Sequence, residues 1–233
     1  RSKFDLDKDG FGTVIYQINI NKEIYSLVCF SRFLNDEDRS DRVIADKWDT
    51  AYTLHIGKIS DKDLDRLNKN VPLQESGRNS PKELVLSRAN KSVRLFNYVC
   101  DCLALGMQPE VDKLTKVGYL MRTTAVYGNG KFGISDRSRI ENRPETQASF
   151  QVEMLTVYLI RNFTFDQVDH IAKMRAPEVA VKLDKSIKRS MGVGNSTGLG
   201  MAPFIVSHPE LLHQWINARE TALARVRAIK NVD

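Results

Sequence analysis

Apolar and polar positions alternate in three places early in the chain. Thr13-Val14-Ile15-Tyr16-Gln17-Ile18-Asn19-Ile20 is rich in β-branched residues, and Asn21-Lys22 can turn it into Glu23-Ile24-Tyr25-Ser26-Leu27-Val28-Cys29-Phe30. After a charged loop from Asn35 to Arg42, Thr50-Ala51-Tyr52-Thr53-Leu54-His55-Ile56 alternates again, with Trp48 just ahead of it as an anchor between sheet and helices. Short β-branched runs bounded by turn residues read as strands. They predict a small antiparallel sheet.

From Ser60 the period lengthens. Ser60-Asp61-Lys62-Asp63 begins a short helix in the manner of a capping box. The polar stretch from Gln74 to Asn79 is the best boundary, so residues 1–79 read as a small, mainly β region and 80–233 as a helical region carrying the site, the two forming one compact unit. Ser80-Pro81-Lys82-Glu83 has the residues of a helix start. Behind it Leu86, Ala89, Val93, Phe96, Cys100 and Leu103 step by three and four, which predicts about six helical turns closed by Gly106. Pro109 opens another helix toward Tyr127, and Pro144 one through Phe150, Met154, Val157, Tyr158 and Arg161. Thr164-Phe165-Asp166-Gln167 caps the next, Pro177 starts one that ends at Gly192, and Ser207-His208-Pro209-Glu210 caps the last. The expected class is α+β: a small antiparallel N-terminal sheet followed by a predominantly helical, bundle-like region.

Composition supports a folded chain. It has 233 residues, 42% hydrophobic and 27% charged, enough for a core. No apolar run approaches the roughly 20 residues that span a bilayer, so no membrane partner is expected. The opening Arg-Ser-Lys-Phe-Asp has neither Met nor a signal core, which predicts a processed or trimmed start. Cys29, Cys100 and Cys102 are odd in number and read as reduced thiols in a cytoplasmic protein. The net charge of +6 is concentrated between Lys173 and Lys230, where ten basic residues face four acids. Such a region suits an anionic partner or is a solvated helix surface.

Two glycine clusters locate the candidate chemistry. Gly128-Asn129-Gly130-Lys131-Phe132-Gly133 and Gly192-Val193-Gly194-Asn195-Ser196-Thr197-Gly198-Leu199-Gly200 together hold 7 of the 13 glycines. Glycine costs conformational entropy to order, so clustering points to backbone that must turn or approach closely. Asn195, Ser196 and Thr197 supply side-chain donors, and the amides of Gly194 and Gly198 could face developing negative charge. Arg122 would grip a carboxylate or phosphate, and Lys131 would act as a point charge or a desolvated base. With Gly128, Asn129 and Gly130 these residues would form one positive pocket if the clusters meet. The plainer alternatives are a helix C-cap at Gly192 and an exposed turn at Asn129-Gly130. His208 is a candidate general acid or base.

Other patterns weigh less. Asp5-Leu6-Asp7-Lys8-Asp9-Gly10 resembles half a calcium loop, but Tyr16 stands where a bidentate Glu is needed, and an Asp-rich turn fits better. The four histidines lack zinc spacing, and no metal site is expected. Dinucleotide and phosphate-loop fingerprints are absent, which leaves the cofactor open. Arg88, Lys91 and Arg94 form a loose basic stripe that could follow phosphates or face solvent. The leading reading is a cytosolic enzyme of open reaction class, acting on a small carboxylate- or phosphate-bearing metabolite held by the two glycine-rich loops. Two others stand beside it: nucleic-acid binding through the basic C-terminal region, and a helical module that self-associates into a homo-oligomer.

Overall fold

The three early runs do form strands. In the computed structural model, which describes residues 1–20, 22–39, 47–70, 80, 82–128, 149–195 and 209–228, β2 (Gly12–Ile20) and β3 (Glu23–Ser31) make a hairpin, and β4 (Thr50–Ile56) pairs with β3. Lys22 supplies the left-handed turn residue, with φ 73°. A short β1 (Lys3–Leu6) adds to the free edge of β2. The turn between β1 and β2 is the Asp-rich segment. Its Asp7 carboxylate accepts the amides of Asp9 and Phe11, both at 2.9 Å, as an Asx turn does.

The sheet does not stop there. β5 (Glu83–Lys91), β6 (Tyr119–Gly128) and β7 (Gly192–Asn195) extend it to seven strands in the order β1-β2-β3-β4-β5-β6-β7. Neighbours from β1 to β6 are antiparallel, and β7 lies parallel to β6. This overturns the expected small N-terminal sheet followed by a helical bundle: the mixed sheet draws its strands from Lys3 to Asn195, and β4 pairs with β5 across residue 79.

The reason lies in burial. From Glu83 to Ala89 nearly every side chain is buried, because β5 is central and covered on both faces. Such strands lose their two-residue alternation and imitate a helical period over a short window. Ser80 and Glu83 do bond as a capping box would, the Ser80 amide and hydroxyl both donating to the Glu83 carboxylate, yet they lead into a strand. The buried Glu83 carboxylate also holds Arg66 at 2.5 Å. Only after Ser92 does α2 (Val93–Ala104) begin. Similarly, the helix expected from Pro109 shrinks to α3 (Val111–Thr115), broken at Gly118 with φ 76°, and the β-branched run that follows is β6.

Helices cover both faces. α1 (Asp61–Asn70) sets Leu64 and Leu67 against Ile15, Val28, Phe30 and Ala51. The opposite face takes the 27-residue α4 (Ser149–Arg175), whose Val157, Ile160 and Phe163 pack on Tyr25, Leu27, Tyr52 and Leu54. Two helices were expected in its place. Thr164 is not a cap: its hydroxyl donates to the Ile160 carbonyl at 2.9 Å within one continuous helix. The second half of α4 packs on α2 and on α5 (Lys185–Ser190). α5 begins at Asp184, whose side chain accepts the Ser186 amide, so the helix expected from Pro177 is only its last turns, and Gly192 opens β7 rather than capping a helix. α6 (Pro209–Ala228) starts at the expected proline and reaches the core through Ile216.

Candidate functional site

One end of the sheet gathers charge. There β5 finishes at Lys91, β4 begins at Thr50, β6 begins at Tyr119, and α2 starts. Asp49, 1% exposed, organises this end. Its carboxylate accepts from Arg39 Nη1 at 2.8 Å and Nη2 at 3.0 Å, and from the Lys91 amide at 2.9 Å. Its own amide donates to Asn90 Oδ1 at 3.0 Å. Paired with Asp49, the Arg39 guanidinium holds its proton even more firmly than usual.

The turn from β5 to α2 is sharp. The Ser92 amide donates to the Leu120 carbonyl at 2.8 Å, and the Phe96 amide makes the first helical bond to the Ser92 carbonyl at 2.7 Å. The amides of Val93, Arg94 and Leu95 lie ahead of that bond, and no described side chain caps them from Ser92. The positive end of the helix dipole therefore points at the sheet end.

Between these elements lies a cavity of about 510 Å³, lined by Arg39, Asn90, Lys91, Ser92, Val93, Arg94, Tyr119 and Arg122. Among these described residues four are cations and none is a carboxylate. A second cavity of about 630 Å³ shares Arg39, Lys91 and Val93, and adds Phe11, Phe33, Phe96 and the acids Asp9, Asp36 and Asp49. Lys91 forms part of the wall of both. Its ammonium sits 4.8 Å from the Phe96 ring centroid and 5.3 Å from that of Phe11. Two aromatic faces contribute about 0.5–2 kcal/mol to a cation. Full burial of an ammonium costs several kcal/mol, so even partial loss of water prevails. Burial accordingly pushes the Lys91 amine below its ordinary value, with Arg39 reinforcing the shift and Asp49 opposing it.

Of the residues anticipated from sequence, Arg122 reaches this cavity. Gly194 stands beside it on β7, in register with it. The reason for that glycine is close packing: a Cβ there would lie 2.9 Å from the Tyr119 ring, another wall residue. Thr123 donates to the Gly194 carbonyl at 3.1 Å and fixes the two strands. Asn195 ends β7 opposite Thr123, and Gly128 ends β6, six residues or roughly 20 Å beyond Arg122. The strands carrying the two glycine clusters are thus parallel neighbours, but Gly128 is remote from the cavity. Asn129, Gly130, Lys131, Ser196, Thr197, Gly198 and His208 lie outside the described residues.

The basic stripe is divided by the true secondary structure. Arg88 stacks on Trp48 at 4.5 Å, whereas Lys91 and Arg94 meet Arg122 in the cavity wall. Sequence reasoning missed Arg39 and Asp49. Only an aspartate just before a strand and an arginine in a charged loop marked them, which is a weak signal.

Comparison of the chain with known protein families, with curated proteins and with solved structures found no match. Among the described residues no helix is long and apolar enough to cross a membrane. Nor do three or more His, Cys, Asp or Glu side chains among them converge as a metal site would require.

Proposed function

We propose that the chain is an enzyme that binds a small phosphate- or carboxylate-bearing molecule in the cationic cavity. The observation behind this is the convergence of Arg39, Lys91, Arg94 and Arg122 on one cavity with no carboxylate among the described residues of its lining. Arg94 and Arg122 can each take two anion oxygens, Arg39 adds positive charge while holding Asp49, and the first-turn amides of α2 add donors at the positive end of a dipole. Lys91, partly stripped of water, supplies an amine that can move a proton or act as a nucleophile. Arg122 of the anticipated pocket lines this cavity, and Gly194 stands in register beside it. A cytoplasmic location suits the three free thiols.

A small anion is favoured over a nucleic acid by the pairing of the C-terminal cations. Arg175 holds Asp101 at 2.8 Å and Lys188 holds Asp169 at 2.8 Å, so part of the basic surface already has partners.

The test is thermal stabilisation by inorganic phosphate and by citrate, at constant ionic strength. Both should raise the melting temperature of the wild type. Arg122→Met and Arg94→Met should each weaken the apparent affinity by about ten- to a hundredfold, as loss of a charged hydrogen bond of roughly 1.5–3 kcal/mol implies. Lys116→Met, an exposed change of the same charge outside the cavity lining, should leave it unaltered. Equal responses of all three variants would refute the site.

A further inference from the structure

Lys91 is held by its backbone, and its tip has no ion-pair partner among the described residues. Its amide is fixed to Asp49 Oδ2 at 2.9 Å, and its Cα is in register with Met121 of β6. Both oxygens of Asp49 are engaged by Arg39, and no carboxylate of the described residues forms an ion pair with the Lys91 amine. The rings of Phe11 and Phe96 flank it and offer no hydrogen-bond acceptor to an ammonium. The rings favour the ammonium modestly, whereas burial, the larger effect, lowers the proton affinity of the amine. Yet the side chain is only half-buried, and it borders both cavities. A lysine of this kind, desolvated and beside arginines, has the character of a carbonyl-reactive nucleophile.

We propose that Lys91 forms an imine with the carbonyl carbon of an aldehyde- or ketone-bearing anion seated by Arg39, Arg94 and Arg122. This rests on the anion-binding reading of the same cavity. The lone pair of Nζ attacks the carbonyl carbon and the new N–C bond forms. The carbonyl π pair moves to oxygen, which takes up the proton lost from nitrogen. The resulting carbinolamine expels its hydroxyl group as water, with the second proton from nitrogen, as the C=N bond closes. One amine and one carbonyl give one imine and one water, and nothing is oxidised or reduced. The negative group in the arginine-lined half sets the carbonyl against the amine, and the second cavity receives the rest of the molecule.

The experiment is reductive trapping of the full chain with glyoxylate and cyanoborohydride, read by peptide mass mapping. Hydride from the reagent reduces the imine carbon and leaves one carboxymethyl group on the reacting lysine. Lys91 should be labelled about tenfold faster than the exposed Lys58 and Lys113, and phosphate should slow Lys91 alone. Lys91→Arg should keep the wild-type melting transition and lose that label. Labelling of Lys91 no faster than Lys58, with phosphate still stabilising the chain, overturns the imine while the anion site stands. Fast labelling of Lys91 that phosphate does not slow, in a chain phosphate does not stabilise, overturns the arginine seat and with it the anion reading.

Discussion

Replacing Asp49 by Ala tests how the cationic cavity is built. The carboxylate is 1% exposed and accepts three hydrogen bonds, at 2.8 and 3.0 Å from Arg39 and 2.9 Å from the Lys91 amide. Bonds to charged groups contribute about 1.5–3 kcal/mol each. The full sum overstates the loss, because the Arg39 side chain is 25% exposed and keeps Asp36 at 3.0 Å, so it can turn toward water. What stays unrelieved is the Lys91 amide, about 1–3 kcal/mol, and the part of the guanidinium that water cannot reach. The expected loss is about 3 kcal/mol, at the lower end of values for breaking a buried ion pair from one side. For a chain of this length that corresponds to a melting temperature lower by about 6–12 °C. Asp49→Asn keeps the shape and one acceptor oxygen, so it should lose roughly half as much. Urea unfolding followed by circular dichroism gives the free energies. A double-mutant cycle with Arg39→Met should return a coupling of about 1 kcal/mol or more. If Asp49→Ala loses less than about 1 kcal/mol, the pair behaves like a surface ion pair, and the argument that it positions Arg39 fails.

Two further outcomes follow from particular side chains. His55 is fully buried and neither ring nitrogen finds a hydrogen-bond partner among the described residues; burial lowers its proton affinity, with Glu83 and Asp63 pulling the other way and Lys82 adding to the shift. The unfolded imidazole takes a proton near pH 6.5 while the native one resists, so this group removes stability as pH falls through about 6.5 and stops doing so once the native ring also protonates. His55→Leu should flatten the decline in urea midpoint between about pH 7 and 5, and an unchanged slope would assign the decline to other groups. Gly194→Ala drives a methyl group to within 2.9 Å of the Tyr119 ring and should destabilise the chain by about 1–3 kcal/mol while weakening phosphate binding through the displaced wall. Tyr119→Leu in the same chain should restore most of the stability; failure of that rescue would show that the ring is not what Gly194 accommodates.

How legible each element was depended on how it is buried. β2, β3 and β4 were visible almost to the residue, because their β-branched runs are bounded by polar turns. β5 was not, since burial on both faces erased its alternation and its apolar residues fell by chance at three- and four-residue steps. β6 was hidden inside an expected helix, although Gly118 and the run Thr123-Thr124-Ala125-Val126 carried the opposite signal. For the site, Lys91, Arg94 and Arg122 were recognised as cations; Arg94 is on a helix as expected, but Lys91 and Arg122 are on strands rather than helices. Asp49 and Arg39 were passed over because a carboxylate's role depends on what is brought to it, and the Lys91 amide arrives from 42 positions along the chain.

The sequence alone determined the local matters: which residues turn, where β-branched chains favour extended backbone, and that the protein carries excess positive charge able to attract an anion. Those follow from sterics, solvation and composition acting over a few residues. Tertiary pairing decided the rest. Asn90 stands in register with Arg122, and Arg122 with Gly194, only because β6 lies between β5 and β7. That register sets four cations around one cavity, and strand order is a property of long-range hydrogen bonding that no local pattern contains.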